Sequence, residues 1–394
     1  MNATCSSFPG VPLLIPDLPA ANALLPYLQR MDQAKQYSNF GPLVRELEEA
    51  LLRRFHIHSP APLTLSTVAN ATLGLELVLS ALELPAHSRV LLPSLTFVAT
   101  ATAVLRAGHI PVLADVDPES WLLTPEIARQ ALKNVAIDVV MPVAAFGAPH
   151  SMADWQTFQQ ETGIPVVIDA AAAFGSQWLD AFTGTAVFSM HATKSLPAGE
   201  GGFVVSSDAG LIARVRQLSN FGINLDPGPQ LSVGVLARIG SNAKMSEYHA
   251  AVGLASLEVW ETRAALRRTR YADFCRALVD VAPGLRWQSN VHDISAPTLL
   301  CVQLPSHADR ENLEKVCAER GIGTRRWYQP LLGRMLSVAP HCVCLPTPNA
   351  TVLASEMLGL PFFPQMDDEQ MKIVVAAVTE AMDLRIAASS RRLA

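Results

Sequence analysis

Phe188-Ser189-Met190-His191-Ala192-Thr193-Lys194, running into Gly199-Glu200-Gly201-Gly202 and the apolar run Phe203-Val204-Val205, is where the fold of this chain is decided. One lysine stands between a serine five residues before it and a glycine-rich turn after it. This order suits a lysine that forms a Schiff base while a nearby hydroxyl holds a phosphate, the arrangement by which enzymes hold pyridoxal phosphate. Upstream, Ile164-Pro165-Val166-Val167-Ile168-Asp169 reads as a buried strand ending in a carboxylate. A pyridinium nitrogen needs such a partner.

Strand-like and helix-like segments alternate outward from these two stretches. Leu63–Ser66 reads as a strand before a turn and a helix over Leu73–Leu82. Arg89–Pro93 and Pro111–Val116 read as strands on either side of a helix over Thr100–Ala107 that Gly108 caps. Asp138–Val143 is a further strand, and the spacing predicts a helix over Met152–Thr162 before the strand that ends at Asp169. Continuously apolar strands between amphipathic helices argue for an α/β fold with a mainly parallel sheet covered on both faces. Ligands gather at the carboxyl ends of such strands, where Ser66, Pro93, Asp115, Pro142 and Asp169 fall.

The flanks have a different character. The first forty residues are punctuated by prolines, with a helix predicted over Pro26–Lys35, and Gly41-Pro42 opens a helix through Val44, Leu47, Leu51 and Phe55. After a long helix near Ser246–Arg270 the chain reads as a smaller α+β unit. Its parts are a strand Thr298–Leu304, a helix Asp309–Arg320, strand-like Cys342-Val343-Cys344 and a helix Asp367–Met382. The division is therefore 1–262 for an N-terminal arm and a large cofactor-binding domain, and 263–394 for a small C-terminal domain.

The bulk properties narrow the function class. The chain has 394 residues, 50% of them apolar and 16% charged, enough for two domains with a large core. A net charge of −5 gives no basis for nucleic acid binding, and the basic runs at Arg263 to Arg270 and Arg391-Arg392 read as a solvated helix face and a terminus. The six cysteines, Cys5, Cys275, Cys301, Cys317, Cys342 and Cys344, form no CxxC pair and read as reduced, with no metal site. Prolines interrupt the N-terminal apolar stretches, no basic region precedes them, and no apolar run is long enough to span a bilayer. The expectation is a cytoplasmic enzyme.

If pyridoxal phosphate is bound, four features have to converge. Lys194 would form the imine and carry the proton, and Asp169 would keep the pyridinium protonated. The turn Val68-Ala69-Asn70-Ala71-Thr72 would present a helix N-terminus to the phosphate, because free N–H groups and the helix dipole favour an anion there. Phe97, in Pro93-Ser94-Leu95-Thr96-Phe97, would cover a ring face. Each has a plainer reading: Thr72 as a helix cap, Phe97 as core, His191 as a structural histidine. Joint presence on an α/β pattern favours the site.

The residues from Asn39-Phe40-Gly41-Pro42 to Leu360-Pro361-Phe362-Phe363-Pro364 resemble the DegT/DnrJ/EryC1/StrS family of aminotransferases, most of which act on nucleotide-linked keto sugars. Pro93–Ala101 is similar to the family's PSxTFxATA, and Gly108-His109-Ile110-Pro111-Val112 with Asp115-Val116-Asp117 to its GxxPVFxDVD. Ser189–Lys194 with Gly199–Gly202 resembles its lysine motif, and Gly240–Glu247 its GxNYRMSE. The resemblance implies fold type I, with Lys194 as the Schiff-base lysine and Asp169 as the pyridinium partner. It also implies Ala71, Thr72 and Ser189 at the phosphate, Phe97 on the ring, and Asn242 reaching the cofactor of the other subunit in a homodimer. Three positions depart from the pattern. Ala71 replaces a turn glycine, Ala172 replaces a glutamine near the ring, and Lys244 replaces an arginine. The implied reaction moves an amino group from an amino acid, L-glutamate, to a nucleotide-linked keto sugar, for a surface polysaccharide or a secondary metabolite. The alternatives are a non-sugar ketone as acceptor, a dehydratase on the same fold, against which Lys194 argues, and a non-catalytic scaffold.

Overall fold

The computed structural model describes residues 10–225, 231–335 and 337–393, with side chains as far as residue 383. Cys5 lies outside these residues, as do the side chains of Arg391 and Arg392. Among them, ten strands are formed: β1 (Thr64–Val68), β2 (Arg89–Pro93), β3 (Ile110–Ala114), β4 (Val139–Val140), β5 (Ile168–Asp169), β6 (Thr185–Ser189), β7 (Gly202–Ser206), β8 (Leu300–Gln303), β9 (Val343–Cys344) and β10 (Met357–Leu360).

Two four-stranded ladders, β1-β7-β6-β5 and β4-β2-β3-β9, are joined by parallel bridges from Val140 to Val166 and from Val143 to Asp169. The result is one layer in which β7 alone runs against its neighbours β1 and β6. Period-2 alternation divides this layer's side chains between two cores. Leu91, Val112, Val140, Ile168, Ala186, Phe188 and Phe203 face one, while Val90, Leu92, Leu113, Val139, Val167, Val187 and Val204 face the other. Both faces are thus buried, which explains why the strands read as unbroken apolar runs.

The helix Met152–Thr162 forms at its predicted bounds because Ser151 caps it through its hydroxyl and Gly163 ends it in the left-handed region at φ 70°. The helix Pro42–His58 buries Val44, Leu47, Leu51 and Phe55 as their spacing requires. The antiparallel pair β8–β10 is covered by the helices Trp260–Val281, His307–Glu319 and Asp368–Leu393 around Phe274, Leu278, Leu313, Val316, Val374 and Val378. Trp260 and Ala264 pack into the first core of the large sheet, and Tyr271 and Phe274 into this C-terminal core. The helix Trp260–Val281 therefore runs through residues 262 and 263 and ties the two cores together.

Three predicted elements differ. The first helix spans Ala21–Ala34 and holds Pro26 in its interior, because it starts at Ala20, which supplies no capping side chain. The expected single helix near Ser246–Arg270 is two, Glu247–Glu258 and Trp260–Val281, broken at Val259 with φ −104° and ψ 5°. Val343 and Cys344 do not belong to the small unit. They pair in parallel with Val112 and Leu113 and form the edge of the large sheet. Among the described residues no helix is long and apolar enough to cross a membrane, and no group of three His, Cys, Asp or Glu side chains is placed to hold a metal ion.

Candidate active site

The parallel strands β1, β2, β5 and β6 all end on one side of the sheet, and the predicted residues emerge there. After β1, the side chain of Asn70 accepts from the amide of Leu73 at 2.9 Å and starts the helix Ala71–Ala81. Asn70, not Thr72, is therefore the cap. Thr72 is the second residue of the helix, and its hydroxyl makes no hydrogen bond among the described residues. The amides of Ala71 and Thr72, in the first turn, have no intrahelical acceptor. They form a ready anion site.

Ser189 ends β6 in register with Gly202 of β7. Its hydroxyl accepts from the amide of His191 at 3.2 Å and keeps its own proton free to donate. Gly202 brings this end of β6 against the helix. A β-carbon there would lie 2.7 Å from the carbonyl of Phe188 and 2.8 Å from the amide nitrogen of Ala71. Only glycine permits this approach. Ala71, Thr72 and Ser189 thus share one polar cup, built from two strand ends and a helix start.

Asp169 ends β5 and is buried. Its Oδ2 accepts from the hydroxyl of Thr100 at 2.8 Å and its Oδ1 from the amide of Ala171 at 3.2 Å. Burial pushes its carboxyl above the ordinary carboxylate range, while the Thr100 hydroxyl, the Ala171 amide and the charge of Lys194 oppose that push. Burial also pushes the Lys194 amine below its ordinary 10.5, opposed by Asp169. The amine makes no hydrogen bond or ion pair among the described residues. A carboxylate held in place beside a buried amine of reduced basicity is what a nitrogen heterocycle and its imine-forming lysine require. Thr100 was not singled out from the sequence, although it stands in the Pro93–Ala101 motif one helical turn after Thr96, whose hydroxyl lies 3.1 Å away.

Phe97 precedes the helix Val98–Arg106 and stays 53% exposed, which excludes its plainer reading as core. Its ring lies 6.2 Å from that of Tyr328, and Tyr328 stacks on Phe146 at 5.6 Å. No local pattern around Tyr328 marks it, since only the tertiary fold brings it here from the C-terminal part of the chain. Asn242 stands apart. It is exposed, bridges to Asn220, and its side-chain oxygen accepts from Lys244 at 2.9 Å. The carbonyl of the next residue, Ala243, accepts from the amide of Ala69 at 2.7 Å, so this loop borders the turn before the helix Ala71–Ala81.

The model of the DegT/DnrJ/EryC1/StrS aminotransferase family matches residues 20–379. Protein Rv3402c of Mycobacterium tuberculosis is 30% identical, the match covering 95% of this chain and 91% of that one. The UDP-2-acetamido-2-deoxy-3-oxo-D-glucuronate aminotransferase of Pseudomonas aeruginosa is 29% identical over 89% of this chain and 94% of its own. Among solved structures, DesI in the presence of its TDP-sugar product superposes with a TM-score of 0.83 at 30% identity, covering 97% of this chain and 96% of that one.

Proposed function

The chain belongs to the DegT/DnrJ/EryC1/StrS aminotransferase family and is a pyridoxal phosphate-dependent aminotransferase of fold type I; from that premise we propose that it transfers an amino group from L-glutamate to a nucleotide-linked keto sugar, in the making of an amino sugar for a surface polysaccharide or a secondary metabolite. The observation that carries the reading is the convergence of Lys194, Asp169, Ser189 and the Ala71–Thr72 helix start on one side of the sheet. The names of two relatives add the acceptor class, since one acts on a UDP-linked sugar and another was solved with a TDP-linked sugar.

Bound pyridoxal phosphate supplies an aldehyde for imine formation and a ring that draws electrons from the Cα–H bond of the donor. The chain's own groups do the rest. The hydroxyls of Thr72 and Ser189 and the amides of Ala71 and Thr72 would hold the phosphate and so position the ring. Asp169 would keep a proton on the ring nitrogen, and Thr100 and Ala171 favour its charged form against the push of burial. Phe97 would cover one face of the ring. Lys194, whose amine is neutral at lower pH than a free lysine's, would provide the nucleophile and carry the proton from Cα.

A homodimer completes the site in this reading. Asn242 presents an exposed amide, and the same region exposes Phe221, Leu236 and Ile239. A partner copy would cover these apolar side chains and receive Asn242 at its own phosphate. The described cysteines are all free, which supports a reducing compartment, the cytoplasm. The test is incubation of the purified holoenzyme with glutamate and a panel of nucleotide-linked keto sugars, read by mass spectrometry. An aminated nucleotide sugar is expected. Formation of 2-oxoglutarate with no sugar in the panel aminated would reject the acceptor class.

A further inference from the structure

Resting on the reading that pyridoxal phosphate occupies this cup, we propose that Tyr328 supplies the ring-side hydrogen bond that Ala172 cannot make, by donating its phenol proton to the ring oxygen of the cofactor. Ala172 follows Asp169 by three residues and ends in a methyl group, so this position brings no side-chain donor to a ring held by Asp169. The backbone packs closely there. Gly147 adopts φ 96°, and a β-carbon there would come within 3.0 Å of the Ala172 carbonyl. Phe146, the residue before it, stacks on Tyr328 with an interplanar angle of 11°. The Tyr328 ring also lies 6.2 Å from that of Phe97, the residue assigned to the ring face. Two aromatic contacts thus hold the phenol, and one of them, Phe146, adjoins the glycine that closes on the Ala172 carbonyl.

Its hydroxyl makes no hydrogen bond among the described residues, so the donor is uncommitted. Burial, then the nearby Cys301 and Asp169, raise the phenol's pKa above the ordinary 10. Tyr328 therefore remains a protonated donor at any physiological pH. Two aromatic contacts and a separate chain segment hold the ring, so removing only the hydroxyl leaves its packing intact.

The consequence is electrostatic. A donor to the ring oxygen competes for the lone pair that otherwise holds the proton of the neighbouring imine nitrogen. The hydrogen bond therefore lowers the pH at which the bound cofactor's visible absorption titrates. Hydrogen bonds to charged groups are strong enough to move such a titration by about one to two pH units.

The experiment compares wild type, Tyr328→Phe and the double variant Ala172→Gln/Tyr328→Phe as holoenzymes, following absorbance against pH and cofactor retention. In Tyr328→Phe the midpoint is expected to rise by about one pH unit or more. An amide at position 172 is expected to bring it back at least part of the way. An unmoved midpoint in Tyr328→Phe, with cofactor bound, overturns the inference. So does a rise that the amide at 172 leaves untouched, because the phenol would then be acting elsewhere. A wild-type protein that takes up no pyridoxal phosphate would instead overturn the functional reading itself. Circular dichroism of the apo forms separates both results from misfolding.

Discussion

The cup around Ala71, Thr72 and Ser189 and the loop around Asn242 are neighbours, linked by the 2.7 Å hydrogen bond from Ala69 to Ala243. They differ in completeness. The cup is built where Gly202, in register with Ser189, lets a strand end approach the start of the helix Ala71–Ala81, and it offers polar groups: two helix amides and two hydroxyls. The loop leaves apolar groups open. Leu236 is 60% exposed and Ile239 is 92% exposed. Polar groups at a helix start suit an anion, and exposed apolar side chains suit a protein surface.

The largest effect expected is at the end of the cup nearest the chemistry. Lys194→Ala should lower transamination by at least about 10⁴-fold, because no other primary amine can take up the proton-transfer role. Pyridoxal phosphate should remain only as non-covalent ligand, since the phosphate groups are untouched. Borohydride reduction of the wild type followed by peptide mapping checks the assignment, and an adduct on Lys133 or Lys244 would refute it.

Mixing subunits tests the other side of the comparison. Lys194→Ala should be inactive, and Asn242→Ala should be weakened in cofactor binding. If Asn242 serves the neighbouring site, a heterodimer of the two carries both defects in one site and neither in the other. Activity should then return on subunit exchange. If exchange is confirmed and nothing returns, Asn242 acts within its own chain or not at the site. Sedimentation of Ile239→Asp gives the simpler check: if this loop forms the proposed subunit interface, a charge there would be buried unpaired and the protein should shift toward monomer.

The two regions were also unequally legible in the sequence. The cup was readable because each of its parts is a local signal: a capped helix after a short strand, a serine at a strand end, a lysine before glycines. Thr100 was overlooked because a threonine in a helix carries no sign of the carboxylate it serves across the sheet. Tyr328 was invisible for the same reason at longer range. The misplacement of Val343-Cys344 has a related cause. A two-residue strand has no periodicity, and its parallel partner β3 lies 231 residues away in the chain, from Val112 to Val343, so nothing local says which sheet it joins. The early start of Ala21–Ala34 escaped because Ala20 is no cap and Pro26 looked like a beginning.

Gly202→Ala probes the cup's geometry with a smaller expected effect. The added carbon meets backbone on both sides, at 2.7 Å and 2.8 Å, so neither neighbour can swing away as a side chain would. Overpacking of this kind costs about 1–3 kcal/mol, and pushing back the helix start should also weaken cofactor retention. Gly163→Ala, where no atom lies within 4 Å but φ is 70°, controls for backbone strain alone. Thermal unfolding of the apo forms and cofactor dissociation constants check the pair. Only the Gly202 variant should lose the cofactor, and equal losses would show that the close approach is not what matters.

Asp169→Asn should lose most of its turnover, but its effect on stability is the smallest expected, and the two measurements move in opposite directions. Turnover should fall, because an amide cannot hold the ring nitrogen protonated, and single-turnover rates with glutamate report that loss. The apoenzyme should become more stable. Burial raises the folded-state pKa of Asp169 above its ordinary 3.8, so the folded protein binds the proton more tightly than the unfolded chain. Stability from this group is fully present below pH 3.8 and is lost as pH rises through the raised folded value. Above that raised value the wild-type apoenzyme carries a buried charge without a cofactor partner, and asparagine removes it at similar size. The gain should therefore appear only on the high-pH side of the folded value. It should shrink as pH falls toward the ordinary carboxylate range, where the protonated aspartic acid is also uncharged. Denaturant melts of both apo proteins across that range check the trend, and a variant less stable than wild type at pH 7 would show that Thr100 and Ala171 already compensate the charge.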